Sequence, residues 1–204
     1  MKVEVVGVAK SFDGREALSI PELRIPSGQV FGLVGSNGAG KTTFLRLLLD
    51  LILPDSGDVY INGENVRTTI SWKTFTGSFL DDSFLIEFLT ADEFLNFLGR
   101  IYEVPKPDMA RAILPFQSFY PDEILGQTKK FIRELSRGNA KKVGLIGAMF
   151  FGPQLLILDE PFATLDPRSQ IKLKQLIADL SSKYGTTAII SSHDLLHVSE
   201  ICDR

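Results

Sequence analysis

The chain carries a single cysteine, Cys202, in 204 residues, so it holds no internal disulfide framework and no multi-cysteine zinc site. One lone thiol fits a reducing compartment. Neither sign of charge dominates. Twenty-two basic against 25 acidic residues leave a net charge of -3, without the broad basic field of a nucleic-acid binder. Long apolar runs are also missing. The longest goes from Val143 to Gly152, between Lys141-Lys142 and Pro153, well short of the roughly 20 residues needed to cross a bilayer. The N-terminal MKVEVVGVAK has Glu4 inside its apolar run and lacks the hydrophobic segment of a secretory leader, so a cytosolic chain is expected. Tryptophan and tyrosine are scarce, whereas phenylalanine supplies 15 side chains, a large apolar payload for a core or a partner surface. Hydrophobic residues at 44% and charged residues at 23% exclude a disordered chain, and the length fits one domain with a subdomain.

Short β-rich runs alternate with helical ones. Val3–Val8 reads as a strand followed by the turn Asp13-Gly14, with Leu23–Ile25 as a weaker strand candidate. Gln29–Val34 has the largely apolar character of a buried parallel strand, and Thr43–Leu51, apolar almost all round, reads as a buried helix. Asp58–Ile61 leads into Asn62-Gly63, a strong hairpin signal, and Thr74–Leu80 reads as a further strand. At Thr90 the period changes: Thr90 and Glu93 form a capping box, and Phe94, Leu95, Phe97, Leu98, Ile101 and Tyr102 repeat at helical spacing. Pro105, Pro107, Pro115 and Pro121 divide the next stretch into short helices, with longer ones expected over Lys129–Leu135 and Asn139–Phe150. Leu155–Asp159 is a strand, Asp166 and Pro167 open a helix that Gly185 ends, and Thr187–Ser191 is the last strand. The expected fold is α/β: a mainly parallel sheet core over about 1–81 and 151–204, an antiparallel N-terminal β part, and a helical subdomain over about 82–150.

Gly35-Ser36-Asn37-Gly38-Ala39-Gly40-Lys41-Thr42 satisfies G-x-x-x-x-G-K-[ST], with a strand before it and a helix after. Glycines let consecutive backbone N–H groups turn inward onto phosphate oxygens, and the helix N-terminus adds its dipole. Lys41 is placed to reach the β- and γ-phosphates of a nucleotide, and the Thr42 hydroxyl to bind Mg²⁺. Leu155-Leu156-Ile157-Leu158-Asp159-Glu160 is a buried strand that stops at two carboxylates, at the sheet edge where ligands of such sheets bind. Asp159 there suits Mg²⁺, and Glu160 suits a general base acting on water. Taken without its neighbours, the same pair is also an ordinary strand end.

Three further segments are Leu135-Ser136-Arg137-Gly138-Asn139, Ala163-Thr164-Leu165-Asp166 and Ser192-His193-Asp194. With them the chain resembles the ATP-binding-cassette family, the nucleotide-binding domains of ABC transporters, from Phe12 to its last residue. The resemblance implies a P-loop ATPase in which two such domains pair head to tail, each ATP lying between one domain's Walker A loop and the other's signature segment. Phe12 then matches the aromatic that stacks on adenine, Gly35–Thr43 the Walker A loop, and Asp159 and Glu160 the Walker B carboxylate and the catalytic base. Ser136 and Gly138 match signature residues that contact the partner's γ-phosphate, Ala163–Asp166 the D-loop, and His193 the switch histidine. Taken singly, Phe12 is also a core aromatic, Ser136 an N-cap and His193 a surface histidine.

The chain departs from the family pattern at Arg137, where Gly is usual, and at Asn139, where Gln is usual. The usual Mg²⁺-binding Gln before the helical insertion is absent, and its place falls on Asp81, nine residues before Thr90, with Asp82 as the alternate. Family members continue past Arg204 with further strands and a helix, so either a C-terminal truncation or a short member is implied.

The implied function is that of an ATP-binding and ATP-hydrolysing subunit, using ATP and Mg²⁺. It powers a transmembrane permease on a separate chain, and the run from Val30 to Gly35 with Lys141-Lys142 suggests an exporter-type system. It pairs with a second nucleotide-binding domain, identical or not, and sits on the inner face of the membrane through its permease, with no nucleic-acid partner expected. The alternatives are a soluble ABC protein working on ribosomes or DNA, and a nucleotide-binding regulator that does not hydrolyse.

Overall fold

The computed structural model describes residues 1–120 and 129–202. Two four-stranded sheets share one helix between them. Strands β1 (Val3–Phe12), β2 (Arg15–Ile25), β4 (Ser56–Ile61) and β5 (Glu64–Asn65) form an antiparallel sheet in the order β2-β1-β4-β5. Strands β3 (Val30–Val34), β6 (Thr76–Phe79), β7 (Leu155–Leu158) and β8 (Thr187–Ser192) form a parallel sheet in the order β3-β8-β7-β6. Helix α1 (Lys41–Leu48) lies between them. Its Phe44, Leu45, Leu47 and Leu48 bury against Val3, Val5, Val59 and Ile61 of one sheet and Leu155, Ile157 and Ile189 of the other.

The alternate residues of the parallel strands, Leu156, Leu158, Ala188 and Ile190, face a second core. There they meet helices α2 (Ala91–Ile101), α4 (Arg137–Met149) and α5 (Pro167–Tyr184). With both faces covered, each residue of a central strand can be apolar, which is why β7 reads as an unbroken LLIL. Helix α4 is buried from Ala140 through Met149. Two glycines admit its neighbours: a Cβ on Gly144 would stand 2.1 Å from the Phe79 ring, and one on Gly147 would stand 2.7 Å from Leu98. The short helices α3 (Met109–Ile113) and α6 (Leu195–Ser199) complete the set. No described helix is long and apolar enough to cross a membrane.

The caps form as their side chains dictate. Thr90 Oγ1 accepts from Glu93 N–H at 3.2 Å while Thr90 N–H donates to Glu93 Oε2 at 2.8 Å, and Asp166 accepts from Ser169 N–H at 3.0 Å. Several elements differ from expectation. The strand expected at Leu23–Ile25 is the end of a strand starting at Arg15; Pro21 is tolerated because β2 is the sheet's edge, and exposed polar residues blur its alternation. Instead of a helix over Lys129–Leu135 there is one 3₁₀ turn at Ile132–Glu134. There Phe131 bridges Thr90 and the Ile132 N–H donates to Leu89 O at 2.8 Å, drawing the backbone into an extended pairing. The strand expected from Thr74 begins at Thr76, after a 3₁₀ turn over Ser71–Phe75. The helix expected from Asn139 begins at Arg137, because Ser136 accepts from the Asn139 N–H. The break expected at Pro121 and the last two residues, Asp203 and Arg204, lie outside the described residues.

Candidate functional site

Three adjacent parallel strands, β3, β8 and β7, deliver their C-terminal loops to one edge of the sheet. The loop after β3 curls through Gly38 and Gly40, both at φ +84°, into α1. Gly40 is the N-cap, so no side chain occupies the first N–H groups of α1, and no acidic residue lies in its first turn. Glycine is required here twice over: its φ is left-handed, and a Cβ would stand 2.5 Å from the Ala17 carbonyl oxygen. The result is a concavity of about 220 Å³ lined by Ala17, residues 37–43, Asp159 and Glu160. One side of it is the glycine-rich loop and the N-terminus of α1, a lining suited to phosphate, and the Asp159 and Glu160 carboxylates form the other.

Lys41 is buried, and its Nζ donates to Gly35 O at 2.6 Å and Ser36 O at 3.2 Å while lying 3.4 Å from Glu160 Oε1. The Thr42 hydroxyl donates to Asp159 Oδ2 at 2.5 Å. Ser191, one position before the end of β8, donates its hydroxyl to Asp159 Oδ1 and accepts the Glu160 N–H at 2.9 Å. Glu160 Oε2 meets His193 Nδ1 at 2.7 Å, while its Oε1 is buried without a hydrogen bond. A carboxylate oxygen without a hydrogen bond, facing a phosphate-shaped loop, has a lone pair available to accept a proton from a reacting water. The oxygen pair of Thr42 and Asp159 suits Mg²⁺, which takes one or two protein oxygens and fills its shell with substrate phosphates and water.

Lys141 and Lys142 leave the same helix in different directions. Lys141 Nζ donates to Glu160 O at 2.7 Å and Ala163 O at 3.0 Å, and burial lowers its pKa against the opposing pull of Asp82, Glu160 and Asp159. Lys142 Nζ lies 3.4 Å from Asp166. The hydroxyl and N–H of Ser169, more than Lys142, hold the Asp166 carboxyl down at about 2.

The expected residues thus separate into two groups. Lys41, Thr42, Asp159, Glu160 and His193 converge around the concavity. Phe12 stands at the end of β1, 48% exposed, with the Lys10 ammonium 5.5 Å from its ring centre. Ser136 caps α4, and a Cβ on Gly138 would lie 3.2 Å from Thr164 O, so the segment abuts the 163–166 loop. Asp81 caps a 3₁₀ turn by accepting from Ser83 N–H at 2.8 Å and lies 3.7 Å from Arg46. The charge of Asp82 is felt at Lys141. Ser191 and Ala17 belong to the site as well, though no motif in the sequence marks them. A polar Ser191 closing an apolar strand was a usable signal, whereas Ala17 acts through its backbone and gave none.

The family model described as ABC transporter matches residues 18–163, and one described as an AAA domain, putative AbiEii toxin, matches 129–199. The bacitracin transport ATP-binding protein of Enterococcus faecalis is 31% identical over 98% of this chain and 64% of its own. The first curated relatives are 33–34% identical, and the chain spans only 53–64% of their length. Among solved structures, an ATP-binding subunit of an ABC transporter superposes with a TM-score of 0.88 at 25% identity, over 100% of this chain and 84% of its own. A dimeric ATP-binding cassette in a post-hydrolysis state with ADP and Pi gives 0.83 at 23% identity, over 96% and 89%.

Proposed function

The chain belongs to the ABC transporter family, and from that membership we propose that it binds and hydrolyses ATP to drive a permease carried on a separate chain. The observation that supports this best is the convergence of the phosphate-shaped loop, the Thr42–Asp159 oxygen pair and the Glu160–His193 pair at one sheet edge. The N–H groups of the loop and of α1 hold the phosphates, and Lys41 exchanges its carbonyl contacts for the terminal phosphate. Thr42 and Asp159 would hold Mg²⁺, which when bound would supply charge neutralisation for the nucleotide's phosphates. Glu160 orients the attacking water and takes its proton, while His193 fixes the carboxylate from the side away from Lys41.

The exporter-type reading has the support of the Val30–Gly35 run and Lys141-Lys142. In this reading the chain sits on the inner face of the membrane through its permease and pairs with a second cassette, and Ser136 and Gly138 contact the partner's nucleotide. Arg137 favours a second reading, a regulator that binds without hydrolysing. Turnover of the complete protein with its permease separates the two. Glu160→Gln keeps shape and reach but removes the base, so turnover should fall about 10²- to 10⁴-fold with ATP affinity retained. Turnover equal to that of the unaltered protein would show that Glu160 is not the base.

A further inference from the structure

We propose that Lys141 is a positioning residue for hydrolysis: its ammonium, carried by α4, locks the backbone turn that aims Glu160. The inference rests on the reading of Glu160 as the base. Glu160 adopts φ +44°, a left-handed conformation that a residue with a Cβ holds only when its surroundings enforce it. Here both of its backbone polar atoms are gripped, from different elements. The N–H donates to Ser191 of β8 at 2.9 Å. The carbonyl accepts from Ala163 N–H at 3.2 Å and from Lys141 Nζ at 2.7 Å. The same ammonium reaches Ala163 O at 3.0 Å, so it spans the turn and ties both ends of residues 160–163 to α4.

The geometry is specific to a long donor. Lys141 sits at 9% exposure on a helix whose residues from Val143 to Met149 are all apolar or glycine, in a stretch where an aliphatic side chain would satisfy packing alone. A buried ammonium is unfavourable unless its N–H groups are used, and two of them are spent on carbonyls of this one turn. The adjacent Lys142 goes elsewhere, to Asp166 at the start of α5, so basicity in this stretch does not by itself account for Lys141. Lys141 lies five positions after Ser136, the cap of the same helix. A movement of α4 as one body at Ser136–Gly138 would therefore carry the Lys141 ammonium that holds the Glu160 carbonyl.

Steady-state hydrolysis by the complete protein with its permease tests this, with rates expressed per bound nucleotide so that misfolded material does not count. Lys141→Met keeps the stem and removes the donors. It should lower kcat roughly 10- to 100-fold, the scale on which misplacing a reacting group by about 1 Å acts, and leave KM for ATP within about twofold. Lys141→Arg should restore kcat to within about threefold. Lys141→Gln, with one neutral donor, should fall between and serves if the methionine variant folds poorly. A residue that only stabilises the fold would lower the melting temperature without moving kcat per site. Unchanged kcat per site in Lys141→Met and Lys141→Gln, with Glu160→Gln inactive, overturns the inference. So does an arginine variant as slow as the methionine one. Equal turnover in Glu160→Gln and the unaltered protein overturns the assignment of Glu160, and this inference with it.

Discussion

Lys41 and Asp166 show how one side chain's surroundings set a measurable outcome. Among the described residues, Lys41 is the one cation lining the loop concavity, held there by two carbonyls that a phosphate outcompetes in charge. Charge-assisted bonds of this kind contribute about 1.5–3 kcal/mol, so Lys41→Ala should weaken ATP binding by roughly one to two orders of magnitude, read by fluorescent-nucleotide titration. The loop's backbone N–H groups survive that change and keep residual affinity. Asp166 is held at about 2 against an ordinary 3.8 by Ser169. Its folded-state pKa is the lower one, so its stabilising effect is complete above pH 3.8 and is lost as pH falls through about 2. Asp166→Ala should cost about 1 kcal/mol near neutral pH, typical of a lost N-cap. The gap in melting temperature between the two proteins should narrow as the pH drops below about 4. A gap independent of pH would place the effect on packing instead of the carboxylate.

Helix α4 is the element on which the site depends most. It starts at the Ser136 cap, carries Lys141 to the Glu160 turn, and is wedged against β6 and α2 through two glycines. In an exposed helix Gly→Ala gains about 1 kcal/mol of propensity. At Gly144 the sign reverses, because the new methyl would stand 2.1 Å from the Phe79 ring. Gly144→Ala should therefore destabilise by about 1–3 kcal/mol in urea unfolding, the usual range for overpacking. A stabilised variant would mean that Phe79 turns aside freely. The helix over Asn139–Phe150 and the Ser136 cap were legible in the sequence, whereas the contacts of the two glycines and the reach of Lys141 were not. The expected helix at Lys129–Leu135 failed for a related reason: its local pattern permits helix, yet pairing with residues 89 and 90 uses the same backbone groups.

For the molecule entire, the segment at Ser136–Gly138 lies outside the lining of this chain's own phosphate concavity. That arrangement is what a site completed by a second cassette would require. Glu160→Gln in the complete protein should then accumulate as an ATP-bound dimer, because ATP persists and the neutral side chain repels the γ-phosphate less. Light scattering should show a doubled mass with ATP and not with ADP. A mass that stays monomeric in both would set the pairing aside. Arg137 enters the same test: an exposed cation at the first position of α4 stands where the family pattern has glycine, so Arg137→Gly should raise the dimer fraction if the side chain obstructs the partner.

How far local pattern reaches in this chain is clear from particular residues. The glycine-rich loop, the carboxylates ending a buried strand, and the caps at Thr90 and Asp166 are short-range arrangements whose chemistry depends on fixed spacing along the backbone, so they could be read directly. The alternation of strands and helices likewise follows from apolar periodicity. Contacts between distant segments could not be read in that way. Ser191 reaches Asp159 across two neighbouring strands, and the Ala17 carbonyl leaves room only for glycine at position 40. Lys141 closes on Glu160 from 19 residues away. Asp81, whose spacing from Thr90 matches a metal ligand's place in the family pattern, lies 3.7 Å from Arg46 of α1, a neighbour its local sequence does not indicate. Those pairings depend on how two sheets and one buried helix pack. The same side chains would have other partners under a different packing, so only the folded chain decides which of its charges meet.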